Sequence, residues 1–292
     1  MATATAASGS SLARPPTPEP PGRRRWSGSL LTAFTWIVAL GFFFPVAWMV
    51  LTAFKQEADA YTTTPKVIFT PTLDQFLGVF ERGAGPYFLN SLIATVVSTA
   101  LVLLLALPAA YALSIRPVKR TEDVLFFFIS TKMLPVVAVI VPLYVIAGQI
   151  NALDNLWLLI VLYTAMNLPI AVWMLRSFMA EVPVEVLEAA EMDGAHLRVL
   201  WRSILVPMIT PGIAATALIC VIFAWNEFFF AVNLTASASS TVPVYLVGFI
   251  TSEGLYWAQL AAAATLASLP VIVAGWIAQK QLVRGLSMGA IK

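Results

Sequence analysis

Apolar residues dominate six long stretches of the chain, which are separated by shorter segments containing charged residues, proline and glycine. The stretches are Leu30–Phe54, Tyr87–Ile115, Met133–Leu153, Asn155–Leu175, Ser203–Asn226 and Gly254–Gln279. Each has about 20 residues or more, the length at which an α-helix crosses about 30 Å of hydrocarbon. Strands of a β-barrel would instead show shorter runs of alternating apolarity. The pattern predicts an all-α, polytopic membrane protein with six transmembrane helices.

Composition and charge support this prediction and orient the chain. Hydrophobic residues make up 60% of the sequence and the mean hydropathy is +0.86, values typical of membrane proteins. With a cytoplasmic N-terminus, only Lys55, Lys66 and Arg82 fall in the outer segments. The inner segments then hold Arg14, Arg23, Arg24, Arg25, Arg116, Lys119, Arg120, Arg176, Arg198, Arg202, Lys280, Arg284 and Lys292. Because cytoplasmic loops carry the excess of Lys and Arg, both termini are predicted to be cytoplasmic.

The same pattern divides the chain into four parts. Residues 1–28, rich in Ala, Ser, Thr and Pro and ending in arginines, are predicted to be a disordered basic tail. Residues 29–85 form the first transmembrane helix and an external loop. Residues 86–280 form a core of five transmembrane helices, with a long inner loop at 179–206. Residues 281–292 form a cytoplasmic tail.

The inner loop concentrates acidic residues in a chain of which only 11% is charged. Four carboxylates lie between Glu185 and Asp193. Pro183 suits the first turn of a helix, and Gly194 can end that helix in the left-handed conformation. A second amphipathic helix is predicted from about 195 to 205, stopping at Pro207. The loop is thus predicted to be an elbow of two short helices.

Two interpretations of this elbow are open. An elbow resting on lipid headgroups explains its apolar stripe, but the anionic inner leaflet repels its carboxylates. Docking to a basic surface of a soluble partner explains the carboxylates better.

The spacing of residues in the loop resembles the "EAA" loop of ABC importer permeases. The residues that carry the resemblance are Glu188, Ala189, Ala190, Asp193, Gly194, Ile204 and Pro207. Four other segments are similar to the permease domain, the last two to carbohydrate-type members such as the six-helix permease of the maltose system. These segments are Asn90-Ser91-Leu92, Ala110-Tyr111-Ala112-Leu113, Trp225-Asn226-Glu227-Phe228-Phe229 and the tail from Gly285 to Lys292. The resemblance covers about residues 30–292.

This resemblance implies a type I ABC importer permease fold in a bacterial plasma (inner) membrane. It implies a second permease subunit, two cytoplasmic ATP-binding subunits and an external solute-binding protein as partners. The seven residues of the loop would couple the chain to an ATPase subunit, and the cargo would be a sugar or polyol.

The sequence does not supply the energy source. It contains no Gly-x-x-x-x-Gly-Lys-Ser/Thr phosphate loop, so ATP would be hydrolysed by a partner subunit. Cys220 is the single cysteine and His196 the single histidine, and no catalytic or metal-ligating set is evident. The chain is therefore predicted not to be an enzyme and to bind no cofactor.

Polar and aromatic side chains within the stretches are candidates for lining a substrate path. Amides, carboxylates and hydroxyls form directional hydrogen bonds with sugar hydroxyls. The candidates are Asn90, Tyr144, Asn167, Trp173, Asn226 and Glu227. Glu227 is equally consistent with a helix-end carboxylate in interfacial water, and aromatic residues commonly face lipid.

Other classes of transporter remain alternatives. A member of the same superfamily with a non-sugar cargo fits the loop equally well. A secondary transporter driven by an ion gradient would show paired buried ionisable residues and repeated halves. The spans offer only Lys132 and Glu227, both near a span end, which disfavours that class. A membrane enzyme is disfavoured because no catalytic constellation is present.

Overall fold

The computed structural model describes residues 25–116, 119–251 and 254–289. Its helices are α1 Arg25–Ala53, α2 Glu57–Ala60, α3 Asp74–Glu81, α4 Ala84–Ser114, α5 Thr121–Met133, α6 Val136–Gln149, α7 Leu156–Ala180, α8 Val184–Met192, α9 Leu197–Val199, α10 Val206–Trp225, α11 Phe229–Leu234, α12 Val242–Val247 and α13 Trp257–Gly289. A π-helical segment, Leu200–Leu205, joins α9 to α10, and a two-residue antiparallel ladder pairs β1 Ile250–Thr251 with β2 Gly254–Leu255. Residues 1–24, which make up most of the predicted basic tail, lie outside the described residues.

The prediction of six membrane-crossing segments holds when the bent pair of α5 and α6 is counted as one broken span. Within the described ranges, five helices are long and apolar enough to cross a membrane, and α5 with α6 makes a sixth segment bent by 87°. Pro135 explains the break, because it lacks an N–H and forces the preceding Leu134 into an extended conformation. The third segment therefore begins at Thr121, earlier than the predicted Met133, and Lys132 lies in the last turn before the break.

The predicted helix stop at Pro207 is wrong. The helix that begins at Leu197 passes through the π-helical segment and continues without interruption to Trp225. Pro207 lies in the first turn of α10, directly after the wider π turns. Those turns displace the carbonyls ahead of the proline ring, so the missing N–H and the ring no longer interrupt the helix. The second arm of the elbow is thus the start of a spanning helix.

The close packing of α4 against α7 forms the centre of the structure. Each helix presents a stripe of buried residues at every fourth position. In α4 these are Ala94, Ser98, Val102, Ala106 and Ala110, and in α7 they are Tyr163, Asn167, Ala171, Leu175 and Met179. Small residues let helices approach closely where apolar lipid provides no hydrophobic drive. The small stripe of α4 therefore accommodates the larger stripe of α7.

The chain forms two units, residues 1–48 and residues 49–292. In the first unit, apolar side chains of α1 such as Leu30, Phe34 and Phe42 are exposed, as expected for a helix surrounded by lipid. In the second unit, the segment assigned from sequence to the external loop contains the short helix α3. The backbone of α13 stays helical to Gly289, through most of the segment assigned from sequence to a tail.

A single carboxylate fixes the segment between α11 and α12. Asp154, in the turn before α7, accepts backbone hydrogen bonds from Ala236, Ser237, Ala238 and Ser239 at 3.0–3.2 Å. Its own backbone N–H donates to the Leu234 carbonyl at 2.9 Å. Although partial burial raises it, the four amides together lower the pKa of the Asp154 carboxyl to about 2.

We expect Asp154→Asn to destabilise the protein by about 1 kcal/mol at neutral pH, after allowance for solvent screening at this partly exposed site. Because the folded pKa lies below the unfolded value of about 3.9, the carboxylate stabilises the fold above pH ~4. That contribution is lost as the pH falls from about 4 towards 2. Thermal unfolding of the purified protein at pH 7 and pH 3 measures the effect. The variant should differ from the wild type at pH 7 and less at pH 3, whereas Glu81→Gln, at an exposed carboxylate, should match the wild type at both. An equal loss at both pH values would contradict the prediction.

Candidate functional site

Helix α8 forms the first arm of the elbow, and its ends are built as the sequence predicts. Pro183, in an extended conformation, is the residue before the first turn. At the other end Gly194 has φ +76°, which favours glycine. Its N–H bonds the carbonyl of Glu191, and the N–H of Ala195 bonds that of Ala190, both at 3.0 Å. This pair of bonds is a Schellman motif, which ends the helix and turns the chain sharply.

The two faces of α8 differ in character. Leu187 and Ala190, three residues apart, are buried in a cluster with Met179, Leu200 and Leu205. The opposite face exposes carboxylates and apolar groups together. The exposed residues of the helix and its C-cap are Val184, Glu185, Val186, Glu188, Ala189, Glu191, Met192 and Asp193. A mixed acidic and apolar surface of this kind suits contact with a protein better than contact with headgroups.

The remaining residues of the predicted coupling set lie on both arms. Asp193 is the C-cap of α8 and Gly194 follows it. Ile204 lies in the π-helical segment and packs on the same buried cluster as Ala190, while Pro207 is exposed one turn further on. The structure thus places the predicted residues around one elbow whose inner side is a shared core.

One arginine connects the elbow to the end of α4 and another connects α7 to α4, and the sequence interpretation missed both contacts. Arg116, just after α4, forms an ion pair with Glu191 of α8. Arg176 of α7 donates to the Leu113 carbonyl at 3.2 Å, near the end of α4. Both arginines, with Glu188 and Glu191, line a cavity of about 400 Å³. The sequence shows basic residues near the acidic loop, but only the fold shows which groups these residues contact.

Three of the six candidates for the substrate path take part in local hydrogen bonds. Asn90 donates to the carbonyls of Ala238 and Ser240 at 2.9 and 3.1 Å. Asn226 donates to the carbonyl of Ile222 one turn earlier. Glu227, which is only 9% exposed, accepts from the backbone N–H groups of Phe230 and Ala231 at 2.8 and 3.3 Å. These contacts fit structural roles at helix ends.

The other three candidates lie apart from these. Tyr144 is exposed on α6, and Trp173 is half-buried on α7. Asn167 is fully buried on α7, and neither its amide N nor its O has a hydrogen-bond partner among the described residues. No hydrogen bond among the described residues joins any two of the six candidates.

Tyr163 is a further polar residue on α7, in addition to the six candidates. It is buried on α7, one turn before Asn167, and its hydroxyl lies towards Glu227 and Thr241. Burial raises the pKa of Glu227, while the amides of Phe230 and Ala231 and this hydroxyl oppose the rise.

Comparisons with known proteins agree with this architecture. Residues 103–288 match the family described as the inner membrane component of binding-protein-dependent transport systems. A probable ABC transporter permease of Sinorhizobium fredii is 40% identical over 264 residues, which cover 90% of this chain and 95% of the relative. The diacetylchitobiose uptake permease DasC of Streptomyces coelicolor is 32% identical, with 88% and 94% covered. The trehalose transport permease SugB of Mycobacterium tuberculosis is 31% identical, with 85% and 92% covered.

A solved structure shares the fold. A chain of a bacterial ABC transporter involved in the import of the acidic polysaccharide alginate superposes with a TM-score of 0.72 at 22% identity. The match covers 91% of this chain and all of that one. The chain therefore belongs to the family of inner-membrane permease components of binding-protein-dependent ABC transport systems.

Proposed function

We propose that this permease subunit forms part of the pathway for a sugar or polyol and is driven through the elbow around Glu188–Pro207. As a permease subunit it is not itself an enzyme, and the ATPase is a separate partner. The observation that carries the proposal is the elbow, a capped helix with an exposed acidic and apolar face beside the ends of two spanning helices.

The connections of the elbow favour transmission of movement. Only residues 181–183 separate α7 from α8, and residues 193–196 separate α8 from the helix that starts at Leu197. The buried contacts of Leu187 and Ala190 leave little freedom for α8 to move alone. An ATPase subunit that displaces the exposed face would therefore displace α7 and α10 as well.

The proposed cargo draws on the relatives and on the buried polar groups. Two relatives are permeases of uptake systems for diacetylchitobiose and trehalose, both of which are disaccharides. In this chain, neither the amide N nor the amide O of the buried Asn167 side chain has a hydrogen-bond partner among the described residues. Such groups are unfavourable when unpaired, so a conformation that opens α7 to a hydroxylated ligand would satisfy them. Tyr144, Trp173, Asn90, Asn226 and Glu227 are proposed as secondary contacts along this path.

The proposed assembly places both termini in the cytoplasm. It contains a second permease subunit, two cytoplasmic ATP-binding subunits that contact the elbow, and an external solute-binding protein at the opposite side. The acidic face of α8 then meets the ATPase, and Arg82 and α3 face outward. The domain division at residues 28, 85 and 280 is proposed on the same basis.

Purification of tagged protein from its native membrane tests the proposal. We expect an ATP-binding subunit and a second permease subunit to co-purify. After reconstitution into vesicles, the complex should take up a radiolabelled disaccharide only when ATP is present on the side of the membrane that corresponds to the cytoplasm. Vesicles loaded with a non-hydrolysable ATP analogue provide the control. Uptake that follows an ion gradient without ATP would contradict the coupling, and ATP-driven uptake restricted to non-sugar solutes would contradict the cargo.

A further inference from the structure

The three basic residues assigned to the outer side have different surroundings. Lys55 is only 2% exposed and lies 5.4 Å from the ring centre of Phe69. Lys66 is paired with Asp59 at 2.6 Å. Arg82 is exposed and has no carboxylate partner among the described residues. Arg82 is thus the outer cation whose charge is available to another molecule.

Aromatic rings hold the Arg82 guanidinium in place. Its central carbon lies 4.4 Å from the ring centre of Tyr256 and 5.5 Å from that of Phe249. Phe249 in turn lies 5.2 Å from Tyr245, edge to face, and the Tyr245 hydroxyl donates to the Val79 carbonyl at 2.8 Å. Cation–π contact and stacking therefore orient the guanidinium before any partner binds.

Arg82 stands at the edge of a cavity of about 260 Å³. The walls are Tyr87, Ala236, Ser240, Val244, Tyr245, Gly248 and Phe249. The wall at Ala236 and Ser240 belongs to the segment that Asp154 fixes, so the cavity is preformed. Its volume is below the roughly 300–1,000 Å³ of typical small-molecule sites, which favours an inserted side chain over a saccharide.

We propose that the cavity beside Arg82 receives a carboxylate side chain of the external solute-binding protein. A guanidinium held by its ring contacts keeps its N–H edge for a bidentate bond to a carboxylate. The proposal rests on the proposed function, since it needs both the outward orientation and a docking protein. It adds a named contact that fixes where that protein binds.

Stimulation of the ATPase by increasing concentrations of the binding protein, in nanodiscs of the intact complex, tests the contact. For Arg82→Glu we expect the half-maximal concentration of binding protein to rise at least about tenfold at low salt, because attraction becomes repulsion. Arg82→Gln should show a smaller rise and a weaker dependence on salt than the wild type. Lys66→Ala, which removes another outer cation, should leave the half-maximal concentration unchanged.

The outcomes separate this proposal from the proposed function. If the wild-type complex does not respond to any binding protein, the proposed function fails and the contact fails with it. If the wild type responds and both Arg82 variants, assembled with the ATPase, respond at the same concentrations, the contact alone is overturned. If free sugar stimulates the wild type but not Arg82→Gln without any binding protein, the cavity holds a saccharide and the proposal is likewise overturned.

Discussion

Gly194→Val is expected to abolish ATP-driven uptake while the protein still inserts into the membrane. Gly194 has φ +76°, where a β-branched residue is strained by about 2 kcal/mol. That strain disfavours the Schellman turn about thirtyfold and so changes the direction in which α8 leaves the turn. Because an added Cβ at this position meets nothing within 4 Å, the effect comes from the backbone and not from a clash.

Gly83 provides the matched control for this prediction. It has φ +77° and equally open surroundings, but it precedes α4, in the segment assigned to the outer side. Gly83→Val therefore introduces the same strain away from the elbow. Co-purification with the ATP-binding subunit should decrease for Gly194→Val and persist for Gly83→Val, with membrane insertion measured by quantitative blotting. Equal uptake and equal co-purification for wild type and Gly194→Val would refute the coupling role.

Gly212→Ala is expected to reduce the amount of folded protein severely. Gly212 is buried in α10 where that helix meets the end of α7. A Cβ at this position would lie 2.5 Å from Cδ2 and 2.7 Å from Cβ of Phe178. Real Cβ atoms do not approach so closely, so the two helices must separate or Phe178 must leave its rotamer, at about 1–3 kcal/mol or more. Accumulation in membranes and the melting temperature in detergent measure the loss.

Two variants make this second prediction specific. Gly275→Ala, in α13, adds the same methyl group where nothing lies within 4 Å, and it should be neutral or slightly stabilising. The double variant Gly212→Ala with Phe178→Ala removes the clashing ring and should recover part of the lost stability. If Phe178→Ala gives no recovery, the contact between α7 and α10 is not the cause of the defect.

Much of the fold follows from local patterns that act within one helix. Long apolar stretches specify spanning helices, because every backbone polar group must be satisfied within the bilayer. Pro135 breaks its segment and Gly194 ends its helix, as their own backbone chemistry requires. Pro207 was the exception, because the π-helical segment before it, set by packing of Leu200 and Leu205, lets the helix continue.

The candidate site likewise combines features that the sequence predicts with features that only the tertiary structure creates. The sequence located the elbow, because its capping residues and charges are contiguous. It did not reveal that Glu227 bonds the start of α11 or that Asn90 bonds the segment at 238–240, since those partners are fixed by turns and by contacts about 150 residues away. The candidates for the substrate path were chosen by residue type alone. They therefore included side chains that already form hydrogen bonds within the protein.

By itself, the sequence determined the apolar spanning stretches and the two-armed elbow, both properties of contiguous segments. Only the tertiary structure decided which polar groups remain available. It paired Arg116 with Glu191, surrounded Asp154 with four amides and set Arg82 on aromatic rings beside a cavity. These arrangements join residues far apart in the chain, and their geometry depends on how α4, α7, α10 and α13 pack, which periodicity along one segment does not encode.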